Sequence, residues 1–260
     1  MSLKNSLFFL FVFFLLFSGC TKKIAPNFFT FPGMGTVLTV TYSGKKNALV
    51  EQEIRETVAL FEKDVSYYQP ESFVSQYNRL KKDENLSVPH WFCELLASSL
   101  RLGKQTDNAF DITYKVKGKL WDKKEGDPPT EKALKKLSPL VGSDLIVADC
   151  ARNFLRKKKD GVIIDLGGVA KGYALDSVAK KLKKRGITNF ILNFGGDMVV
   201  CGSKNGEKWK IGIKNPLESG EMLKILHLSG ERCTAIATSG DYERFFMKNG
   251  KKYRDRKSVV

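Results

Sequence analysis

The sequence "IIDLGGVAKGYALD", from Ile163 to Asp176, combines an apolar run, two carboxylates, paired glycines and a lysine. Apolar residues recur every four positions from Ala170 to Leu182, and Gly186 follows at a point where helices commonly end. This spacing predicts a helix over Val169–Arg185. The apolar residues before the glycines predict a strand, so the paired glycines mark a turn from strand to helix.

This turn is a candidate binding site for an anionic ligand. Gly167 and Gly168 have no side chains, so backbone N–H groups at the helix start can approach a ligand closely. Lys171 adds a positive charge, and Asp165 can accept hydrogen bonds from a sugar, a base or a metal-bound water. A diphosphate fits this combination. The alternative is a tight turn with an exposed lysine, since neither a GxGxxG nor a P-loop pattern is present.

The remaining segments predict an α+β protein with mixed, mostly antiparallel sheets and packed helices. "GTVLTVTY" alternates like a half-buried strand, and Ile54, Val58, Phe61 and Val65 have helical spacing. "DLIVADC", "NFLRKK" and "GVIIDL" are predicted as consecutive strands, and "FFMKNGKKYR" as a hairpin. Early helices followed by many hairpin-connected strands favour a mixed α+β domain over a doubly wound fold. The length of the chain fits one domain or two closely packed subdomains.

Composition and charge restrict the possible partners. The 260 residues are 42% hydrophobic and 28% charged, which is typical of a globular protein with a sizeable core. Lysine and arginine number 44 against 28 acidic residues, for a formal charge of +16. The basic clusters contain no aromatic stacking pattern and no nucleic-acid motif. Solvated basic faces near a membrane are therefore favoured, and no nucleic-acid partner is expected.

The N-terminus predicts export and lipid attachment. Lys4 precedes an apolar stretch over Leu7–Phe17, which is shorter than the roughly 18 residues of a membrane-spanning helix. Two small residues then precede Cys20, as in a bacterial lipoprotein processing site. We expect a signal peptide at 1–19, lipidation of Cys20 and a linker over 20–30. The alternative is an uncleaved N-terminal anchor.

Four further cysteines are widely separated. Cys93, Cys150, Cys201 and Cys233 form no CxxC pair, and no histidine stands at ligand spacing apart from His90 near Cys93. A metal site at these cysteines is therefore not predicted. An oxidising compartment permits disulfides without requiring them, and buried free thiols are the expectation.

Three other stretches carry chemically suggestive residues. Met34 stands between glycines in "PGMGT", Phe110 adjoins a carboxylate in "AFD", and Asp241 lies in "ATSGDYERF". Taken singly, Met34 and Phe110 fit core positions, and Asp241 fits a turn or a helix cap.

Together these motifs resemble one family. The motifs similar to those of the ApbE family, the FAD:protein FMN transferases, are "PGMGT", "SYYQPES", "AFDIT", "IDLGGVAKGYALD", "NFGGD", "WKIGIKNP" and "TSGDYERF". The resemblance covers roughly Phe31 to Tyr253. The resemblance implies one ApbE-like domain over 31–260. Such proteins bind FAD with Mg²⁺, split its diphosphate, attach FMN to a threonine hydroxyl of a target protein and release AMP.

The resemblance also implies site residues, partners and a location. FAD is expected to contact Met34, Tyr68, Ala109, Phe110, Asp111, Asp165 and Lys171, and the carbonyl of Gly168 is expected to contact Mg²⁺. Targets are typically subunits of Nqr- or Rnf-type electron-transfer complexes. The implied location is the periplasmic face of the bacterial inner membrane.

The sequence departs from the family pattern after the "SGDYE" motif. Family members continue with a histidine and a His-Ile-Asp-Pro-like segment, whereas this chain reads "KKYRDRKSVV". Its histidines, His90 and His227, stand elsewhere, so no catalytic base is identified. We expect that the C-terminal part of the domain is missing. Two alternatives to transfer stay open: an FAD-binding lipoprotein without transferase activity, and a Mg²⁺-dependent FAD pyrophosphatase that yields FMN and AMP.

Overall fold

The computed structural model describes residues 25–121, 128–215, 220–230, 232–238, 245–248 and 251–254. It has the predicted mixed α+β architecture with antiparallel sheets. The expected signal peptide, the predicted lipidation site at Cys20 and the "SGDYER" segment lie outside the described residues. Among the described helices, none has both the length and the apolarity needed to cross a bilayer.

The last described helix ends at Lys184, and the described elements that follow it are strands. The strands are β1 (Asn27–Gly33), β2 (Thr36–Tyr42), β3 (Asn85–Ser87), β4 (Ile146–Asp149), β5 (Phe154–Lys157), β6 (Phe190–Phe194), β7 (Asp197–Cys201), β8 (Trp209–Lys214), β9 (Met222–Leu228), β10 (Thr234–Ile236), β11 (Phe245–Lys248) and β12 (Lys251–Arg254). The α-helices are α1 (Ala48–Val65), α2 (Phe73–Arg79), α3 (His90–Gln105), α4 (Lys115–Gly118), α5 (Glu131–Leu137) and α6 (Ala170–Lys184).

A five-stranded antiparallel sheet with the order β1-β2-β6-β7-β10 organises the fold. Strand β2 alternates as predicted, with Leu38, Val40 and Tyr42 buried on one face. Strand β1 was not predicted, and it includes residues 27–30 of the expected linker. Its apolar residues pair in register with β2, from Asn27 opposite Tyr42 to Gly33 opposite Thr36.

Helices α1 and α6 pack antiparallel to each other against this sheet. The carboxylate of Glu53 on α1 contacts Lys181 and Arg185 near the end of α6, and the ring of Phe61 stacks on Tyr173 near its start. The observed α6 agrees within one residue at each end with the predicted helix. Its buried face and that of α1 join the sheet in the main hydrophobic core.

Smaller sheets complete the fold. Strands β3, β5 and β4 form a three-stranded sheet, while β8 pairs with β9 and β11 with β12. The β11–β12 pairing confirms the predicted C-terminal hairpin. Trp209 and Ile211 of β8 pack with Val200 of β7 in a second, smaller core.

The predicted strand "GVIIDL" is wrong. Residues 162–166 form no regular element and join no described sheet, although the side chains of Val162, Ile164 and Leu166 are buried. The side-chain amide of Asn78 takes the place of a neighbouring strand. The Ile164 N–H donates to Asn78 Oδ1 at 2.7 Å, and Asn78 Nδ2 donates to the Ile164 carbonyl at 3.0 Å.

The expectation of buried free thiols is also wrong. Cys93 on α3 is bonded to Cys150, which follows β4, and Cys201 at the end of β7 is bonded to Cys233, just before β10. The first disulfide joins α3 to the three-stranded sheet. The second joins β10, an edge strand of three residues, to its neighbour β7.

The two ends of the five-stranded sheet differ in character. One end, called here the turn end, carries the tight turns Met34–Gly35 and Gly195–Gly196 and the start of α6. The other, called here the entry end, carries the start of β1, the 43–47 loop, the 186–189 segment and the 202–208 loop.

Candidate functional site

Two hairpin turns lie against each other at the turn end. Met34 and Gly35 have φ of 47° and 74°, and Gly195 and Gly196 have φ of 62° and 96°. Positive φ at both central residues is the geometry of a type I′ hairpin turn. A Cβ on Gly195 would lie 2.6 Å from Oγ1 of Thr36, so the two turns are close enough to exclude any side chain there.

An ion pair joins this end of the sheet to helix α6. Asp197 directly follows the second turn, and its Oδ2 contacts Nζ of Lys171 in the first turn of the helix. Both side chains are about three-quarters buried, with 24% and 29% of their surface exposed. The predicted anion-binding lysine is therefore held beside the sheet end by a carboxylate.

The glycine turn before α6 leaves backbone donors without partners. The Gly167 N–H donates to Oδ1 of Asp165 at 2.8 Å, which closes the turn. The N-cap residue, Val169, provides no side-chain cap. The N–H groups of Lys171 and Gly172 donate to no other described residue. Because a helix N-terminus attracts negative charge, this exposed turn can bind an anion.

The "AFDIT" loop lies next to the glycine turn. A Cβ on Gly168 would be 3.1 Å from Cε2 of Phe110, so the half-buried phenyl ring contacts this glycine. The Asp165 N–H donates to the Ile112 carbonyl at 2.9 Å. The two motifs are therefore in direct contact, and their joint role in binding FAD stays a prediction.

Asp111 shapes this loop from within. Its Oδ1 accepts hydrogen bonds from the N–H and the hydroxyl of Thr113, at 2.7 and 2.6 Å. The Thr113 hydroxyl oxygen in turn accepts from the Gly142 N–H at 2.8 Å. Ala109 is exposed at the start of the loop.

Tyr68 lies apart from these contacts. Its side chain is 85% exposed, and its ring packs edge-on against Tyr67 at 5.5 Å. The Tyr67 ring in turn lies near the ammonium groups of Lys115 and Lys119, which follow the "AFDIT" loop. Within the described part of the chain, no ring contact or hydrogen bond joins Tyr68 to Phe110 or Lys171, so its role in binding FAD stays a prediction.

The described residues do not contain a group of three acidic, histidine or cysteine side chains placed to hold a metal ion. The carbonyl of Gly168 accepts no hydrogen bond from another described residue. The two histidines make other contacts. His90 Nδ1 contacts the Cys150 carbonyl and Asn153 Oδ1, and His227 pairs with Lys210 across the β8–β9 hairpin.

Sequence reasoning missed Asp197 as a site residue. The signal was present, because "NFGGD" puts a carboxylate directly after two glycines that follow a predicted strand. The pairing with Lys171 depends on where β7 begins relative to α6, and that distance is set only by the folded chain. Asn193 has a supporting role, since its Oδ1 accepts from the Gly196 N–H at 2.9 Å.

The sequence of this chain is similar to those of one protein family. Residues 34–255 match the profile of the ApbE family. The chain is 30% identical to an FAD:protein FMN transferase of Haemophilus influenzae, with 92% of this chain and 72% of that protein covered. It is 27% identical to the enzyme of that name from Vibrio cholerae, with 92% and 73% covered.

Solved structures of ApbE proteins are also similar to this chain. The ApbE protein of Thermotoga maritima superposes with a TM-score of 0.78 at 27% identity, covering 88% of this chain and 75% of that one. The flavin transferase ApbE of Vibrio cholerae gives a TM-score of 0.77 at 25% identity, with the same coverage. This chain belongs to the ApbE family. The predictions of an ApbE-like fold and of a transferase enzyme are confirmed.

Proposed function

We propose that the turn end binds FAD and that the protein transfers FMN from FAD to a threonine hydroxyl of a target protein. Relatives named as FAD:protein FMN transferases that cover more than nine-tenths of the chain support this activity. The proposed reaction forms a phosphorus–oxygen bond between the FMN phosphate and the acceptor hydroxyl. It breaks the bond from that phosphorus to the bridging oxygen of FAD, AMP leaves with that oxygen, and the proton of the acceptor hydroxyl is released to solvent.

The observation that carries this proposal is the uncapped start of α6 beside Lys171. Two backbone N–H groups that donate to no other described residue lie in the same helix turn as the Lys171 ammonium, directly after Gly167 and Gly168, which have no side chains. A diphosphate is a compact double anion, and such donors bind it through short charge-assisted hydrogen bonds. Phosphoryl transfer depends mainly on positioning and charge neutralisation, which these groups supply.

The neighbouring apolar side chains suit the flavin ring. Phe110 lies against Gly168, and Met34 is partly buried at the first hairpin turn. An aromatic ring and a thioether are favourable partners for a flat aromatic ligand. The two motifs that contribute them flank the glycine turn and the Lys171–Asp197 pair, so ring and diphosphate could be bound at the same end of the sheet.

Magnesium binding remains part of the proposal, although the described residues supply few ligands for the ion. The Gly168 carbonyl accepts no hydrogen bond from another described residue and could serve as one oxygen ligand, whereas Mg²⁺ prefers an octahedral set of oxygens. One carbonyl is far from a complete set, and the described residues hold no three-ligand group. The described part of the chain therefore does not fit this ion by itself, and no step of the proposed reaction is assigned to it.

We further propose that the protein is lipid-anchored at Cys20 on the periplasmic face of the inner membrane. Two disulfides support an oxidising compartment, because reduced thiols are the rule in the cytosol. The apolar Leu7–Phe17 stretch before a small-residue and cysteine motif supports export. Nqr- or Rnf-type electron-transfer subunits are the proposed acceptors, as the family resemblance implies.

The test is an incubation of the purified protein with FAD, Mg²⁺ and a target protein that carries an acceptor threonine. Transfer makes the target band fluoresce in a denaturing gel and releases AMP. Free FMN with AMP and an unlabelled target would instead show an FAD pyrophosphatase. Intact, protein-bound FAD would show a carrier. Either of the last two outcomes contradicts the transferase proposal.

A further inference from the structure

The entry end of the five-stranded sheet has a basic surface formed by separate loops. Exposed lysines and an arginine lie before α1, at the end of α6, and in the loops next to β8 and β10. They are Lys45, Lys46, Lys183, Lys184, Lys204, Lys208 and Arg232. We propose that this surface lies against an anionic phospholipid bilayer, and this proposal rests on the lipid anchor proposed above.

The acidic side chains at this end do not neutralise that surface. Glu53 is engaged by Lys181 and Arg185, and Glu51 is paired with Arg55. Glu207 is the other acidic side chain in the described loops of this end. Basic groups close to an anionic leaflet each favour binding by about fivefold, and the attraction fades within a Debye length of about 8 Å.

The path of the chain brings this end to the membrane. Asn27 begins β1, and its Nδ2 donates to the Gly44 carbonyl at 2.6 Å, which fixes the entering chain to the basic 43–47 loop. Seven peptide steps from Cys20 to Asn27 span at most about 25 Å when fully extended. A lipid on Cys20 therefore keeps the basic loops near the bilayer surface.

Two exposed apolar side chains accompany the basic loops. Phe28, the second residue of β1, is 73% exposed, and Leu49 in the first turn of α1 is 65% exposed. Large apolar side chains beside lysines are the composition of surfaces that bind at the headgroup region of a bilayer. A nucleic acid would match the charge but would leave these two side chains without a function.

This orientation sets the distance between the candidate site and the bilayer surface. Strand β1 has seven residues and runs from the entry end to the turn end. At about 3.3 Å per residue, it separates the two ends by roughly 23 Å. The turn end therefore faces away from the bilayer, where a target protein has access to it.

The experiment uses the full-length lipidated protein in vesicles of phosphatidylcholine alone or of phosphatidylcholine with phosphatidylglycerol. Flotation with the vesicles tests the anchor. A water-soluble acylating reagent, followed by mass spectrometry, then measures how fast each lysine is labelled. We expect Lys45, Lys46, Lys183 and Lys184 to be labelled at least about fivefold more slowly on anionic than on neutral vesicles. Lys132 and Lys136, exposed on α5, should be labelled equally fast on both.

Variants distinguish binding of the basic surface to the bilayer from mere proximity to the bilayer. Lys45→Gln, Lys46→Gln, Lys183→Gln and Lys184→Gln combined should abolish the protection of Lys204, whereas Lys132→Gln with Lys136→Gln should not. If the protein floats with the vesicles but its lysines are labelled equally fast on both lipids, the proposal for the basic surface is wrong and the proposal of the anchor stands. The proposal is also wrong if a free polyanion, but not anionic vesicles, slows the labelling of these lysines. A protein that does not float overturns the anchor and the orientation together, and leaves the transferase proposal standing.

Discussion

Lys171 and Asp197 form an ion pair that connects the first turn of α6 to the start of β7. The pair lies next to the uncapped start of α6. The ammonium can therefore bind a diphosphate only while it also interacts with the Asp197 carboxylate. This arrangement makes opposite predictions for the two partners.

Lys171→Gln should weaken FAD binding at least about tenfold, because a hydrogen bond to a charged group contributes about 1.5–3 kcal/mol. Asp197→Asn should bind FAD no more weakly than the unchanged protein, because it removes a competing negative charge. Isothermal titration at fixed salt measures both affinities. If both variants lose affinity equally, the pair serves to hold the helix in place and the assignment of Lys171 to the diphosphate is wrong.

Gly168→Ala should lower FAD affinity by about tenfold, equivalent to ~1.4 kcal/mol. The new methyl would lie 3.1 Å from the Phe110 ring, so the ring or the turn must shift. Gly118→Ala is the matched control, since its Cβ makes only an ordinary 3.7 Å contact with the Lys115 side chain. Flavin fluorescence quenching gives the two affinities. Unchanged binding in Gly168→Ala would exclude a close approach of the ligand to this turn.

Loss of either disulfide should lower the free energy of unfolding by up to about 4 kcal/mol in the chain-entropy treatment. The bonds close loops with sequence separations of 57 and 32 residues, and the expected cost depends only weakly on this difference. Urea unfolding of Cys93→Ser with Cys150→Ser, and of Cys201→Ser with Cys233→Ser, measures each cost. Thiol titration in denaturant provides the check, because reactivity of these four cysteines without a reductant would show that the bonds are absent.

Lys157→Met should lower the free energy of unfolding by about 1–3 kcal/mol at neutral pH. The buried ammonium donates to the carbonyls of Asn78 and Leu80 at 3.1 and 2.9 Å, and the variant leaves these oxygens without a donor. Lys158→Met changes an exposed neighbour and should cost little. Chemical denaturation measures the three proteins. A stability equal to that of Lys158→Met would mean that the two carbonyls find other partners.

The same residue gives a pH dependence with a defined sign. Burial lowers the pKa of Lys157 below its usual 10.5. Between the lowered folded-state pKa and 10.5, the unfolded chain binds more protons than the folded one, so stability should rise with pH in that window. The stability of the unchanged protein relative to Lys157→Met should therefore increase as the pH approaches 10.5. A constant difference would contradict the shift.

Local patterns predicted most of the secondary structure. Helix α6 and the alternation of β2 were predictable because helical spacing, a following Gly186 and period-two burial are properties of neighbouring residues. Contacts between residues that are distant in sequence were not predictable in this way. The segment 161–166 has the apolar composition of a strand, but its neighbour is the side chain of Asn78 rather than another strand.

The candidate site was predictable in its motifs and not in its pairings. Phe110 and Gly168, which are in contact in the structure, both lie in motifs that the sequence singled out. The Lys171–Asp197 pair and the disulfides require the folded distance between segments, which no single segment encodes. Burial of Lys157 was equally hidden, because a lysine in a short strand is ordinarily on the solvent face.

The amide of Asn78 has a mechanical consequence. The backbone that leads into Gly167 and Gly168 is attached to α2 by two hydrogen bonds from one side chain, and to the "AFDIT" loop by one more. In a sheet, a whole row of backbone hydrogen bonds to a neighbouring strand would make this attachment. Here, the hydrogen bonding between the seven-residue helix α2 and the segment before the glycine turn depends on a single side-chain amide, and Asn78→Asp, which lacks the Nδ2 donor, would loosen that linkage.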